Sequence, residues 1–145
     1  MAITHFDHVT VCVSDLEAAK RFFGLLGLKE DKAVVISGER FATYMGLGAI
    51  EADHVTLALP GASPRFEVQL LHYRRPEAAD DPGITRLDKL GFNHVCFAVD
   101  DLDAVIDHLK ANGVEIRGEL KGFHDRRLVF LTGPDGITVE LAQWS

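Results

Sequence analysis

Several things are scarce in this chain, and each scarcity narrows what the protein can be. Cysteine occurs twice, at Cys12 and Cys96, in no CxxC or finger-type spacing, which argues against a disulfide framework and against a thiolate zinc site. Unbridged, partly buried thiols in a reducing compartment are the expectation. Basic residues are outnumbered, 15 Lys+Arg against 22 Asp+Glu for a formal charge of -7. They form no long run able to track a phosphate backbone, so nucleic acid is not an expected partner. Nowhere do apolar residues run on for the length a bilayer requires, and Met1-Ala2-Ile3-Thr4-His5 has neither the basic start nor the apolar stretch of a secretion signal. No membrane partner is expected, and the reading is of a cytoplasmic protein.

What is present is a repeat. Phe6-Asp7-His8-Val9, followed by Val13, Asp15-Leu16 and Ala18, returns as Phe92-Asn93-His94-Val95, followed by Val99, Asp101-Leu102 and Ala104. Towards the end of each half, Val68-Gln69-Leu70 is matched by Val139-Glu140-Leu141. His8, Gln69, His94 and Glu140 thus hold two pairs of equivalent places, and their side chains are a candidate metal shell. Two copies of one supersecondary unit can bury a core that neither closes alone, and 145 residues at 47% hydrophobic suffice for one domain.

Each half reads as βαβββ. From Ile3 to Val13 the pattern alternates, with Val9, Val11 and Val13 on one side and His8, Thr10 and Cys12 on the other. Ser14 precedes Glu17 at capping-box spacing, and an apolar stripe of Leu16, Ala19, Phe23 and Leu26 predicts a helix from about Asp15 to Gly27. In the second half Asp100 is the expected N-cap, Leu102, Val105, Ile106 and Leu109 form the stripe, and Gly113 ends the helix. Further strands are predicted at 33–36, 54–59 and 66–73, then at 114–117, 128–131 and 137–144. Turns are marked by Pro60-Gly61-Ala62-Ser63-Pro64 and Gly133-Pro134-Asp135-Gly136. The expectation is a single domain over 1–145, with one module at about 1–73, a polar linker at about 74–90 and a second module at about 91–145. Residues 37–52, containing Gly46-Leu47-Gly48, read as a loop over one end of a sheet.

The two histidine motifs, their Asp-Leu echoes and the ending Gly133-Pro134-Asp135-Gly136-Ile137-Thr138-Val139-Glu140-Leu141 together resemble the vicinal oxygen chelate superfamily, also called the glyoxalase, bleomycin-resistance and extradiol dioxygenase superfamily. The resemblance spans nearly the whole chain. It implies an α+β fold in which two βαβββ modules form a cup-shaped mixed sheet, and one divalent metal held by His8, Gln69, His94 and Glu140. A homodimer and a small-molecule substrate are implied with it.

The alternation agrees with that placement, because if Val9 and Val95 face the helices, His8 and His94 face the other way, and Gln69 and Glu140 do likewise. Singly, a histidine on a strand is more often an ordinary cavity-lining residue than a ligand. Burying two histidines and a glutamate together without a metal or hydrogen bonds would cost on the order of several kcal/mol. Two imidazoles, a carboxylate and an amide oxygen suit Zn, Ni, Co, Mn or Fe better than Ca. Glu67, two residues before Gln69 on the same face, competes for that ligand place.

Around this shell, His54, Arg40, Tyr44 and Arg127 are candidate substrate-binding residues, with Phe41 and Met45 either lining a pocket or packing. The motif His124-Asp125-Arg126-Arg127 reads as a solvated charged loop from which one arginine could meet a substrate anion. The leading functional reading is a metal-dependent isomerase, epimerase or lyase acting through a stabilised enolate, with Glu140 or Glu51 as the catalytic base and Glu67 as a further alternative. A rival keeps only His8, His94 and Glu140 around Fe(II), as in extradiol dioxygenases. A third is a drug-sequestering protein without catalysis.

Overall fold

The structure is a computed structural model describing residues 2–145. It divides into two compact units, one ending at Asp80 and one beginning at Asp81, within the stretch read as a linker. Each holds one four-stranded mixed sheet.

In the first unit, strand β1 (His8–Cys12) leads through helix α1 (Leu16–Leu25) to β2 (Lys29–Ser37), helix α2 (Glu39–Met45), β3 (Glu51–Ala58) and β4 (Glu67–Arg75). The sheet order is β1-β4-β3-β2, with β1 parallel to β4 and the other pairs antiparallel. Val11, Val55, Leu57, Val68 and Leu70 share one face and are buried, as are Ala19, Phe22 and Phe23 of α1. The opposite face carries His8, Thr10 and Cys12 beside Glu67, Gln69 and Leu71, and then Thr56 and His54 of β3. β1 is shorter than the expected 3–13; Ile3 and Phe6 ahead of it are exposed.

The second unit repeats the scheme with β5 (Val95–Ala98), α3 (Leu102–Ala111), β6 (Ile116–Phe123), β7 (Arg126–Thr132) and β8 (Thr138–Trp144), in the order β5-β8-β7-β6. Val129, Leu131, Val139 and Leu141 bury one face, and Leu102, Ile106 and Leu109 are the buried stripe of α3.

Several expectations need correcting. The helix caps are Asp15 and Asp101, not Ser14 and Asp100. The Asp15 carboxylate accepts from the Ala18 amide at 3.0 Å and that of Asp101 from the Ala104 amide at 3.1 Å, which satisfies amides the first turn leaves open and sets negative charge at the positive helix end. Glu17 turns instead to Lys20, at 2.9 Å. The C-terminal ends are as expected: Gly27 and Gly113 directly follow the caps Leu26 and Asn112 and take positive φ of 97° and 82°. The presumed loop at 37–52 contains α2. Its Ala42 packs with Ile50, Ala52 and Leu71, flanked by Ile36, Leu47 and Tyr73, so the segment does cover one end of the Gln69-bearing face, but as a helix closed by Gly46 at φ 72°. β2 begins four residues earlier than expected, and β6 starts later and runs six residues further. Cys12 and Cys96 form no disulfide; Cys12 is exposed, and Cys96 is exposed only in part. Among the described residues, no helix is long and apolar enough to cross a membrane.

Candidate metal centre

Each unit brings a histidine and an oxygen donor to corresponding places. Gln69 lies opposite Thr10 and Glu140 opposite Cys96; each partner is two residues beyond its unit's histidine. Strand register therefore makes Gln69, not Glu67, the counterpart of Glu140.

Both histidines are held the same way. The Nδ1 of His8 is 2.5 Å from the Asp7 carboxylate, and that of His94 is 2.6 Å from Asn93 Oδ1. Asn93 is fixed in turn by donating to the Leu87 carbonyl at 2.8 Å. Both oxygens accept, so each ring carries a proton on Nδ1 and directs Nε2 away from its anchor. This is the outer support that ligating histidines need, fixing both tautomer and ring direction. The His8 hydrogen bond also holds Asp7 below the usual carboxylate range. His94 Nε2 points at Glu140 Oε1, 3.3 Å away, and Phe130 stands edge-on to the His94 ring at 5.2 Å.

Gln69 sits within a polar chain. Its amide nitrogen donates to Glu67 Oε1 at 2.9 Å, and its Oε1 lies 3.1 Å from His54 Nε2. An ionised carboxylate only accepts, so the Gln69 NH₂ must face Glu67 and its oxygen must take the His54 proton, with one lone pair still to offer. Glu67 is bound on its other oxygen by Arg65 Nε at 2.7 Å, and Arg65 reaches Asp31 at 2.8 Å. Donation from Gln69, then from Arg65, holds the Glu67 carboxyl below its ordinary range. Those same bonds engage Glu67 and leave Gln69 the better placed donor.

Beside Glu140, loss of water and then the carboxylate's charge push the Cys96 thiol up to about 12, so it stays protonated although part of it is exposed. Among the described residues no three His, Cys, Asp or Glu cluster into a metal group. The donors occur as one histidine and one oxygen ligand per unit, and these residue types, with both rings anchored at Nδ1, fit a divalent ion.

The remaining candidates are dispersed. His54 lies beside Gln69. Glu51 opens β3 with its carboxylate 3.4 Å from Arg75 and 3.9 Å from Arg74. Arg40 and Tyr44 are exposed on α2, Tyr44 at 86%. Arg127 sits on the helix-facing side of β7, two residues from buried Val129, and binds Asp103 of α3 at 2.9 and 3.2 Å. It does not share the face of Glu140. Its neighbour Arg126 does, because Arg126, Leu128 and Phe130 lie opposite Trp144, Ala142 and Glu140. Sequence reasoning had no means of choosing between the two arginines, since the run Leu128-Val129-Phe130-Leu131 is apolar at every position and hides its phase.

Comparison with known proteins agrees with this fold. Residues 5–141 match the family described as Glyoxalase/Bleomycin resistance protein/Dioxygenase superfamily. A lactoylglutathione lyase of Schizosaccharomyces pombe is 29% identical over 95% of this chain, which spans 44% of that protein's length. An ethylmalonyl-CoA/methylmalonyl-CoA epimerase of Cereibacter sphaeroides is 31% identical over 97% of this chain and 98% of its own. A glyoxalase family protein from Bacillus cereus superposes with a TM-score of 0.88 at 26% identity, covering 99% of this chain and 96% of that one. The chain belongs to the glyoxalase/bleomycin resistance/dioxygenase superfamily, and its relatives include epimerases and lactoylglutathione lyases.

Proposed function

We propose that the protein is a divalent-metal-dependent isomerase, epimerase or lyase acting on a small substrate with two neighbouring oxygens. The observation that carries this is the paired Nδ1 anchoring of His8 and His94, which aims Nε2 away from each anchor and, in His94, towards Glu140. His8, Gln69, His94 and Glu140 would hold the ion, whether Zn, Ni, Co, Mn or Fe. Such an ion supplies Lewis-acid stabilisation of negative charge developing on substrate oxygen.

The chain's own residues do the rest. Asp7 and Asn93 hold the imidazoles in one tautomer, and His54 orients the Gln69 carbonyl. Phe130 packs against the His94 ring and helps fix its direction. Removing a proton next to a carbonyl needs a carboxylate with few competing donors. Glu140 faces His94 Nε2 and the weakly donating Cys96 thiol, and its Oε1 is assigned as the proton acceptor. Glu51, facing Arg74 and Arg75, is the alternative acceptor. Arg40 and Tyr44, exposed on α2, remain candidates for substrate contact. A homodimer is part of the proposal, and Phe6 and Phe92, equivalent in the repeat and exposed at 85% and 68%, are material for its interface.

The full-length epimerase relative makes α-proton exchange the direct assay. Methylmalonyl-CoA and lactoylglutathione, incubated with metal-loaded protein in D₂O, should incorporate deuterium at the carbon next to the thioester carbonyl with at least one of them. The Glu140→Ala variant should not support it. Exchange in neither compound would count against the proposal.

One observation favours a second reading. Because Gln69 is engaged by both His54 and Glu67, His8, His94 and Glu140 alone would form a two-histidine, one-carboxylate set suited to Fe(II) and dioxygen. Oxygen uptake with Fe(II) and a catechol would select it.

A further inference from the structure

We infer that Arg126 recognises an oxyanion on the substrate, remote from the oxygens that chelate the metal. The inference rests on the proposed metal site. It adds that the substrate is an elongated acid with an apolar stem.

The geometry of the second sheet carries the assignment. Arg126 opens β7 directly opposite Trp144, and its guanidinium carbon lies 4.5 Å from the Trp144 ring centre. This stacking holds the planar fork by its face and leaves the N–H edge for a partner. Arg126 Nε is buried and has no hydrogen-bond partner; the nearest carboxylate oxygen, of Asp125, is 3.9 Å away, beyond hydrogen-bond reach. An orphaned donor on a charged group is costly in a native fold and calls for an explanation. The other arginines of this unit are engaged. Arg117 donates to Thr132, Thr138 and the carbonyls of Gly136 and Ile137. Arg86 holds Asp88, and Arg127 holds Asp103.

Position supplies the rest. Arg126 and Glu140 share a face, separated along the β7–β8 ladder by the pair Leu128–Ala142. Trp144 is four residues from Glu140, about 13 Å between backbones at the usual strand rise. A substrate lying along this face would place its chelating end at Glu140, an apolar stem over the partly exposed Leu128, and a carboxylate or phosphate at Arg126.

Trp144 is the one tryptophan of the chain, so its fluorescence reports on this spot. We would titrate Zn-loaded protein with linear dicarboxylates from malonate to sebacate, with monocarboxylates of matching length and with the corresponding ω-phosphorylated acids, using calorimetry as a second readout. The longer dianions should bind more tightly than monoacids, whichever oxyanion is preferred. Arg126→Gln should weaken them by about tenfold to a hundredfold, the loss expected for a hydrogen bond to a charged group, and remove their advantage. Arg126→Lys should retain part of it. Equal binding of diacid and monoacid by the wild type, or an advantage undiminished in both variants, would overturn the assignment. Repeating the titration after EDTA separates it from the metal reading. An Arg126-dependent signal that survives chelation supports Arg126 while removing the metal from the site.

Discussion

Gln69 and Glu140 hold the same register position in their respective sheets, Gln69 opposite Thr10 and Glu140 opposite Cys96. One is neutral and engaged by two neighbours; the other is a carboxylate facing an imidazole. That asymmetry within a symmetric frame governs much of the expected behaviour.

Gln69→Glu places a second carboxylate against Glu67 and removes the amide donor that Glu67 accepts. Like charges at this distance disfavour ionisation of both, and a broken hydrogen bond adds to the loss. The metal-free variant should be less stable by about 1–2 kcal/mol. Divalent metal should raise its melting temperature by more than it raises that of the wild type, as calorimetric scans with and without metal would show.

The two residues ahead of the histidines should matter to metal affinity without touching the ion. Asp7→Ala and Asn93→Ala each free an Nδ1 and should weaken binding by about 10- to 100-fold, the usual effect of losing an outer partner of a ligating histidine. Competition with a chromophoric chelator measures this, and circular dichroism should show both variants folded.

Helix capping gives a prediction independent of the site. Asp15→Ala and Asp101→Ala should each cost about 1 kcal/mol in urea unfolding, because their carboxylates accept the Ala18 and Ala104 amides. Asp100→Ala should cost much less.

Acid stability should depend on Asp53. Arg74, at 2.7 Å, and then His72 hold its carboxyl below the ordinary value of 3.8. A carboxyl whose folded pKa is depressed stabilises the fold above its unfolded pKa, and that contribution fades as pH falls through the folded value. Asp53→Asn should therefore be less stable than wild type at pH 7, and the difference should shrink below about pH 4. Urea midpoints across that range test it.

The legibility of these features in the sequence follows physical lines. Both long helices could be read because their apolar stripes and terminal glycines are dictated by burial and by positive φ. Their caps were displaced by one residue, since serine and aspartate stand side by side at the first and two aspartates at the second. α2 was illegible because it buries one residue, Ala42, and leaves Phe41, Tyr44 and Met45 exposed, so no periodicity forms. β6 lies at the sheet edge with polar residues and two glycines, which hides its extent. His8, Gln69, His94 and Glu140 stood out through the repeat, whereas Arg126 could be told from Arg127 only after the turn at His124, with φ 57°, had set the phase of β7.

Metal content decides whether His8, His94 and Glu140 hold an ion. Protein purified anaerobically without an affinity tag would be analysed by mass spectrometry for bound elements, alongside His8→Ala, His94→Ala and Glu140→Ala. The wild type should carry a near-stoichiometric divalent ion, and all three variants should lose it. A wild type that takes up no metal after reconstitution, or variants that keep it, would rule out a metal site at these residues.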